Sequence, residues 1–185
     1  FIPRAQIDKR IKKITFFKTI AFIKLSKGAK TPNKILVVGS GNGTEVACLG
    51  EHFPNSTVYG IDMVTEKTEY KNYVIEQGNA ENMRFSNNEF DLLYSYHVLE
   101  HVSNPAKVIS EMRRVLQNDG QLLIGTPNRR RLIGYLSGDA TLWDKIKWNF
   151  KDWKDMIRGR FKNELGAHAG FTHQEMQTLL SKEFS

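Results

Sequence analysis

The chain has 185 residues, 40% of them hydrophobic and 25% charged, with a formal net charge of +7 and a single cysteine. That length suits one α/β domain able to bury a real core, and a lone cysteine excludes an intramolecular disulfide framework. No apolar run approaches the roughly 18 residues of a membrane-spanning helix and no signal peptide is visible, so a cytoplasmic location is the default expectation.

Taken in chain order, residues 1–33 place Ile7, Ile11, Ile14, Phe17, Ala21 and Leu25 at three- and four-residue spacing with lysines between them. That period predicts an amphipathic helix, which Pro32 and Asn33 end. Lys34 to Thr44 then reads Lys-Ile-Leu-Val-Val-Gly-Ser-Gly-Asn-Gly-Thr. Its unbroken apolar run from Ile35 to Val38 predicts a parallel strand covered on both faces, and its alternating glycines predict a turn that a ligand can approach closely. A helix is expected from about Thr44, its free N–H groups facing the loop. A second strand, Thr57 to Ile61, ends in Asp62, where a carboxylate can accept both hydroxyls of a ribose. Loop and acid together predict a nucleoside-containing cofactor. Thr44 stands where the dinucleotide pattern G-x-G-x-x-G/A needs its last small residue, which argues against a pyrophosphate ligand. Only sixteen steps separate Asp62 from Gly78, so Val64 to Lys71 supplies at most about two helical turns.

Tyr73 to Gln77 predicts a third strand. It is followed by Gly78-Asn79-Ala80-Glu81-Asn82-Met83-Arg84-Phe85 and then by Phe90-Asp91-Leu92-Leu93-Tyr94-Ser95-Tyr96-His97-Val98-Leu99-Glu100-His101-Val102. Val115 to Ile124 reads as a helix end, a glycine turn and a fifth strand, with Thr126-Pro127-Asn128 after it. This order closely resembles the type 11 methyltransferase domain family of class I S-adenosylmethionine-dependent methyltransferases: a G-x-G-x-G loop, an acid ending strand two, a "GDAE-x-LPF"-like loop, "FD" opening strand four and "HVLEHV". The resemblance covers roughly residues 34–128 and, more weakly, 168–181.

The resemblance implies a Rossmann-like, doubly wound, mainly parallel sheet of order 3-2-1-4-5 and S-adenosylmethionine as cofactor. It implies that Gly39, Ser40 and Gly41 lie against the methionine part of the cofactor, with Asn42, Gly43 and Ser95 in the same site. Asp62 is expected on the ribose hydroxyls, Met63 beside the adenine, and Asn79 and Ala80 at the adenine edge. The family usually has aspartate where Asn79 stands, and the asparagine oxygen can accept the same bond without charge. The N-terminal helix is expected to cover the cofactor pocket, the alternative being a membrane or nucleic-acid role. The chain starts at Phe1 and stops at Phe184-Ser185, so it reads as lacking strands six and seven and as a piece of a longer enzyme.

Residues 129–167 are expected to form a basic aromatic insert after strand five, and 168–185 a C-terminal helix, all within one methyltransferase domain. From Ala140 to Lys162, Trp143, Ile146, Phe150, Trp153, Ile157 and Phe161 recur near helical period, opposite Lys147, Lys151, Lys154, Arg158 and Lys162. A substrate lid, a homodimer helix and a peripheral membrane helix all suit that pattern. Charge is segregated: residues 1–34 hold ten Lys/Arg against one acid, 35–128 six against twelve, and 129–163 ten against four. The basic flanks suit a polyanion or a membrane surface.

His97-Val98-Leu99-Glu100-His101 also spells H-x-x-E-H, which on a helix could hold zinc. Its place after a strand, and the want of an evident third ligand, favour no metal. His97 is a candidate base or orienter at the active-site mouth. His168, in a passage resembling the family's "H-x-x-x-F-T-x-E-E-L", is the second catalytic candidate; Thr172 there is expected to cap the last helix with Glu175 at capping-box spacing. The expected reaction is methyl transfer to an oxygen, carbon or carboxyl nucleophile on a small-molecule, lipid-linked or glycan acceptor. Ser95-Tyr96-His97-Val98 stands where enzymes acting on nucleic-acid base amines carry Asn/Asp-Pro-Pro-aromatic, so RNA methylation is the alternative, alongside a catalytically silent binding module.

Overall fold

The computed structural model describes residues 31–131, 133–134, 140–163 and 169–184. The amphipathic helix expected over 1–33 therefore lies outside the described residues up to position 30. The chain divides into two compact units, one comprising residues up to Tyr96 together with Ala106–Gly125, the other His97–Pro105 together with Thr126–Ser185.

The described residues of the first unit build six strands and two helices. These are β1 (Lys34–Val38), α1 (Thr44–His52), β2 (Thr57–Asp62), β3 (Thr68–Tyr70), β4 (Tyr73–Gln77), β5 (Phe90–Tyr96), α2 (Pro105–Val115) and β6 (Leu116–Gly125). The sheet order is β3-β4-β2-β1-β5-β6. All pairings are parallel except β3 with β4. Setting β3 aside, this is the expected 3-2-1-4-5 order. β1 lies at the centre, and Ile35, Leu36, Val37 and Val38 are each at most 1% exposed, as a strand buried on both faces requires. Ile35 and Val37 join Val46 and Leu49 of α1, Val58, Ile75, Leu92 and Tyr94 in one apolar cluster. The start of β1 is fixed by the Asp91 carboxylate, whose Oδ2 accepts from the backbone N–H groups of Asn33 and Lys34 at 3.0 and 2.7 Å.

Two local readings of the sequence are corrected. Val64 to Lys71 forms no helix; its end becomes the edge strand β3, paired antiparallel with β4 so that Tyr70 faces Tyr73 across a two-residue turn. Lys71 takes the left-handed conformation there, at φ 50°, and the Asn72 amide reaches the carbonyls of Gly50, Phe53 and Ser56 at 3.1, 3.1 and 2.9 Å. That tether binds the turn to the end of α1, and β-branched Val64, Thr65 and Thr68 favour extended backbone. The glycine turn expected before strand five is an irregularity inside β6: Phe90 pairs with Leu116 but Leu92 with Gln121. Among the described residues no strand follows β6.

The second unit holds α3 (Leu142–Ile157) and α4 (His173–Ser181). Thr141 caps α3 by accepting from the Asp144 N–H at 3.2 Å. Thr172 and Glu175 form the expected capping box on α4, the Thr172 N–H donating to Glu175 Oε2 at 2.7 Å. The Arg129 guanidinium donates to the Gly170 carbonyl and to Glu175. Gly170, at φ 74°, leaves no room for a side chain, since a Cβ there would overlap the Pro127 carbonyl. No described helix is long and apolar enough to cross a membrane.

Candidate cofactor site

The glycine loop lies at the carboxyl end of β1, between β2 and β5, where the strand order reverses and where open α/β sheets present their ligands. Gly39, Gly41 and Gly43 all have positive φ, at 77°, 49° and 80°. The loop is pinned to β2 through its backbone: the N–H groups of Gly39 and Ser40 both donate to the Ile61 carbonyl at 2.9 Å. The Gly41 N–H donates to Asp62 Oδ2 at 2.9 Å, and Asp62 Oδ1 accepts from the Val64 N–H at 3.2 Å. Asp62 thus orders the loop, with two bonds on a carboxylate that can accept about four. A Cβ built on Gly41 meets nothing within 4 Å among the described residues, which leave the space beside the loop open. Asn42 Oδ1 accepts from the N–H and hydroxyl of Thr44, at 3.1 and 2.7 Å, and so sets the entry into α1.

The other expected residues of this unit collect at the same end of the sheet. Met63 is 58% exposed just after β2, its carbonyl accepting from the Gln77 amide at 3.0 Å. The Gly78 N–H donates to the Asp62 carbonyl at 2.9 Å and brings the end of β4 beside β2. Asn79 and Ala80 follow in a turn, in which Asn79 Oδ1 accepts from the Glu81 N–H at 2.8 Å. That oxygen keeps one lone pair for an amine. Ser95, paired with Val38 in register, is 1% exposed, as is Ser40. Neither hydroxyl has a hydrogen-bond partner among the described residues.

One contributor is absent from the sequence reading. A Cβ on Gly60 would lie 2.5 Å from Val46 Cγ2 and 2.8 Å from Ser40 Cβ, so this glycine lets α1 and the loop press onto β2. An isolated glycine inside a strand run was its visible signal.

His97 belongs to the second unit and takes the left-handed conformation at φ 59°. Residues 97–101 form a turn, with the His101 N–H donating to the Val98 carbonyl at 2.9 Å, and not the helix that the inverted zinc-peptidase geometry needs. His97 Nδ1 lies 2.7 Å from Glu100 Oε1. Glu100 is 3% exposed, and its Oε2 accepts from the Thr126 hydroxyl at 3.1 Å. Burial pushes the Glu100 carboxyl up, but the His97 hydrogen bond, its own backbone N–H and Thr126 more than offset this and hold it below the usual carboxylate value. An ionised Glu100 makes Nδ1 the donor of that hydrogen bond. Glu100 stands three residues after His97, and the left-handed turn at His97 accompanies their approach. His168 lies outside the described residues.

Residues 36–124 match the family described as "Methyltransferase domain". The ubiquinone biosynthesis O-methyltransferase of Haemophilus ducreyi is 33% identical over 110 residues, a stretch covering 52% of this chain and 46% of that protein. The chain thus spans about half the length of that relative. A putative methyltransferase from an antibiotic biosynthesis pathway of Anabaena variabilis superposes with a TM-score of 0.64 at 18% identity, over 90% of this chain and 60% of that one. Phosphoethanolamine N-methyltransferase 2 of Haemonchus contortus, solved with phosphomonomethylethanolamine and S-adenosylhomocysteine, also gives 0.64, at 17% identity, over 95% of this chain and 41% of that one. The motif order read from the sequence, the loop at the strand reversal and the family match converge, and residues 36–124 belong to the methyltransferase domain family.

Proposed function

We propose that the protein methylates a hydroxyl on a small or lipid-linked acceptor, with His97 as general base. The His97–Glu100 pair carries this reading: a buried, ionised carboxylate on Nδ1 fixes the tautomer and leaves Nε2 to take the acceptor's proton. Glu100 acts through His97 and is a positioning residue. His168 is kept as a second candidate for the same task. The O-methyltransferase relative supports an oxygen nucleophile, and Ser95-Tyr96-His97-Val98 in place of an Asn/Asp-Pro-Pro-aromatic sequence speaks against a nucleic-acid base amine.

The first unit suits S-adenosylmethionine by its donor set. Open space beside Gly41, two buried hydroxyls without a partner among the described residues and a carboxylate with spare acceptor capacity are what a sulfonium amino acid joined to a nucleoside calls for. Gly39, Ser40 and Gly41, with Asn42, Gly43 and Ser95, would hold the methionine part, and Asp62 the ribose. Met63, Asn79 and Ala80 would flank the adenine. When bound, this cofactor supplies a methyl group already made electrophilic by its sulfonium. The chain's own work is to align the nucleophile, exclude water and accept one proton.

The test is release of S-adenosylhomocysteine from methyl-labelled donor in the presence of phenols, carboxylic acids, amines and RNA. Phenolic or hydroxylated acceptors should turn over, and His97→Gln should cost about 10²–10⁴ in rate at unchanged cofactor affinity. Turnover confined to amines or RNA, or full activity in the variant, would overturn the proposal.

A further inference from the structure

The helix α3 is packed inside out. The side chains that anchor it are polar: Asp152, 8% exposed, pairs with Arg131 at 3.0 Å, and Asn149 exchanges hydrogen bonds with the backbone of Gly134 at 2.6 and 3.2 Å. Arg131 is itself held over the Phe161 ring at 5.0 Å. Six of the large apolar side chains point the other way. Leu142, Trp143, Ile146, Phe150, Trp153 and Ile157 are between 44% and 88% exposed. At 3.6 residues per turn these six fall within an arc of about 100°. Lys147, Lys151, Lys154 and Arg158, all exposed, fill the adjoining arc of about 60°. The acids Asp144 and Asp155 lie beyond that basic band, and Asp152 is buried.

We propose that this face of α3 docks on an anionic phospholipid bilayer, its apolar stripe entering the interface and its basic band lying on the headgroups. Charge complementarity selects that occupant. A contiguous apolar stripe with cations along one border matches the two-part chemistry of an acidic membrane surface, and lysine stems can run along apolar surface while their ammonium groups reach phosphate. A second copy would have to bring carboxylates to the basic band, and the helix's own acids lie off it. A small ligand is too small to cover six side chains spread over sixteen residues.

The test is co-sedimentation and tryptophan emission of the chain with vesicles of phosphatidylglycerol and phosphatidylcholine, against phosphatidylcholine alone, at low and high salt. Binding and a blue shift should occur with the anionic vesicles only, and weaken as salt rises. Each basic residue near such a surface is worth about fivefold in partitioning, so Lys147→Gln with Lys151→Gln should weaken binding on the order of twentyfold. Trp143→Ser with Phe150→Ser should abolish it. These positions are exposed, and unchanged circular dichroism confirms the fold of both variants. The proposal is overturned by failure to bind anionic vesicles, by equal binding to phosphatidylcholine, or by variants that bind like the parent. Lipid-independent association that the substitutions remove would assign the face to a second copy, and an emission shift on adding S-adenosylhomocysteine alone would assign it to a lid; either overturns it.

Discussion

The central strand β1 and the helix α3 obey opposite burial rules. In β1 four consecutive apolar side chains are at most 1% exposed, whereas Leu142, Trp143 and Phe150 of α3 are 74%, 73% and 66% exposed while its Asp152 is buried. The difference separates what apolar residues do in the two places. Those of β1 stabilise the unit from within, each contributing roughly 1.5–3 kcal/mol by leaving water. Those of α3 contribute little to the fold, which there rests on the Arg131–Asp152 pair and the Asn149 clamp.

Paired truncations test that contrast most sharply. Leu36→Ala should destabilise the protein by about 2–5 kcal/mol in chemical denaturation, through lost transfer energy and a cavity. Phe150→Ala removes a larger group yet should stay within about 0.5 kcal/mol of the parent. Comparable losses at the two positions would mean that the outward face of α3 is an ordinary core face.

A second substitution separates the loop from the strand beneath it. Gly41→Val places a branched side chain where φ is +49° and where no atom of the described residues lies within 4 Å. Its added bulk should reduce binding of S-adenosylhomocysteine by at least about tenfold while circular dichroism stays native, since the strain of one left-handed residue is on the order of 1–3 kcal/mol. Normal binding in that variant would reduce the glycine loop to a turn.

The smallest effect lies on the acid side. The Glu111 carboxyl is held low by the Arg114 guanidinium, against the opposing effect of burial, and accepts from the Met83 N–H; Glu175 is held low mainly by the Thr172 N–H. Because the folded values lie below the unfolded ones, this stability is fully present above about pH 4.5 and is lost as pH falls through the folded values. The melting temperature should therefore drop as the medium is acidified below pH 4.5, and Glu111→Gln should flatten that drop while lowering the neutral-pH value by about 2–4 °C per kcal/mol lost. An unaltered acid limb in the variant would remove Glu111 from the account.

What the sequence revealed follows the same contrast. β1, β2 and β4 were legible from their apolar and β-branched residues and β5 from the order of motifs around it, and the loop was legible because positive φ favours glycine. β3 was not, being three exposed residues at an edge, held through an asparagine turn whose three carbonyl partners lie sixteen or more positions away. The orientation of α3 was also hidden, since helical periodicity gives the angle between the apolar and basic faces but not which of them meets the protein. Asn149 and Asp152 decide that, and nothing local marks them as inward. His97 was singled out by its motif, while its partnership with Glu100 needed the left-handed turn that only the structure supplies.

The central claim is that the loop and Asp62 bind the methyl donor. Titration calorimetry of S-adenosylhomocysteine into the parent chain and into Asp62→Ala tests it most directly. The carboxylate orders the Gly41 N–H and, in the proposed role, would offer charge-assisted acceptors to two hydroxyls, each bond worth on the order of 1.5–3 kcal/mol. The parent should bind, and the folded variant should bind at least about tenfold more weakly; a parent that does not bind, or a folded variant of equal affinity, would contradict the assignment.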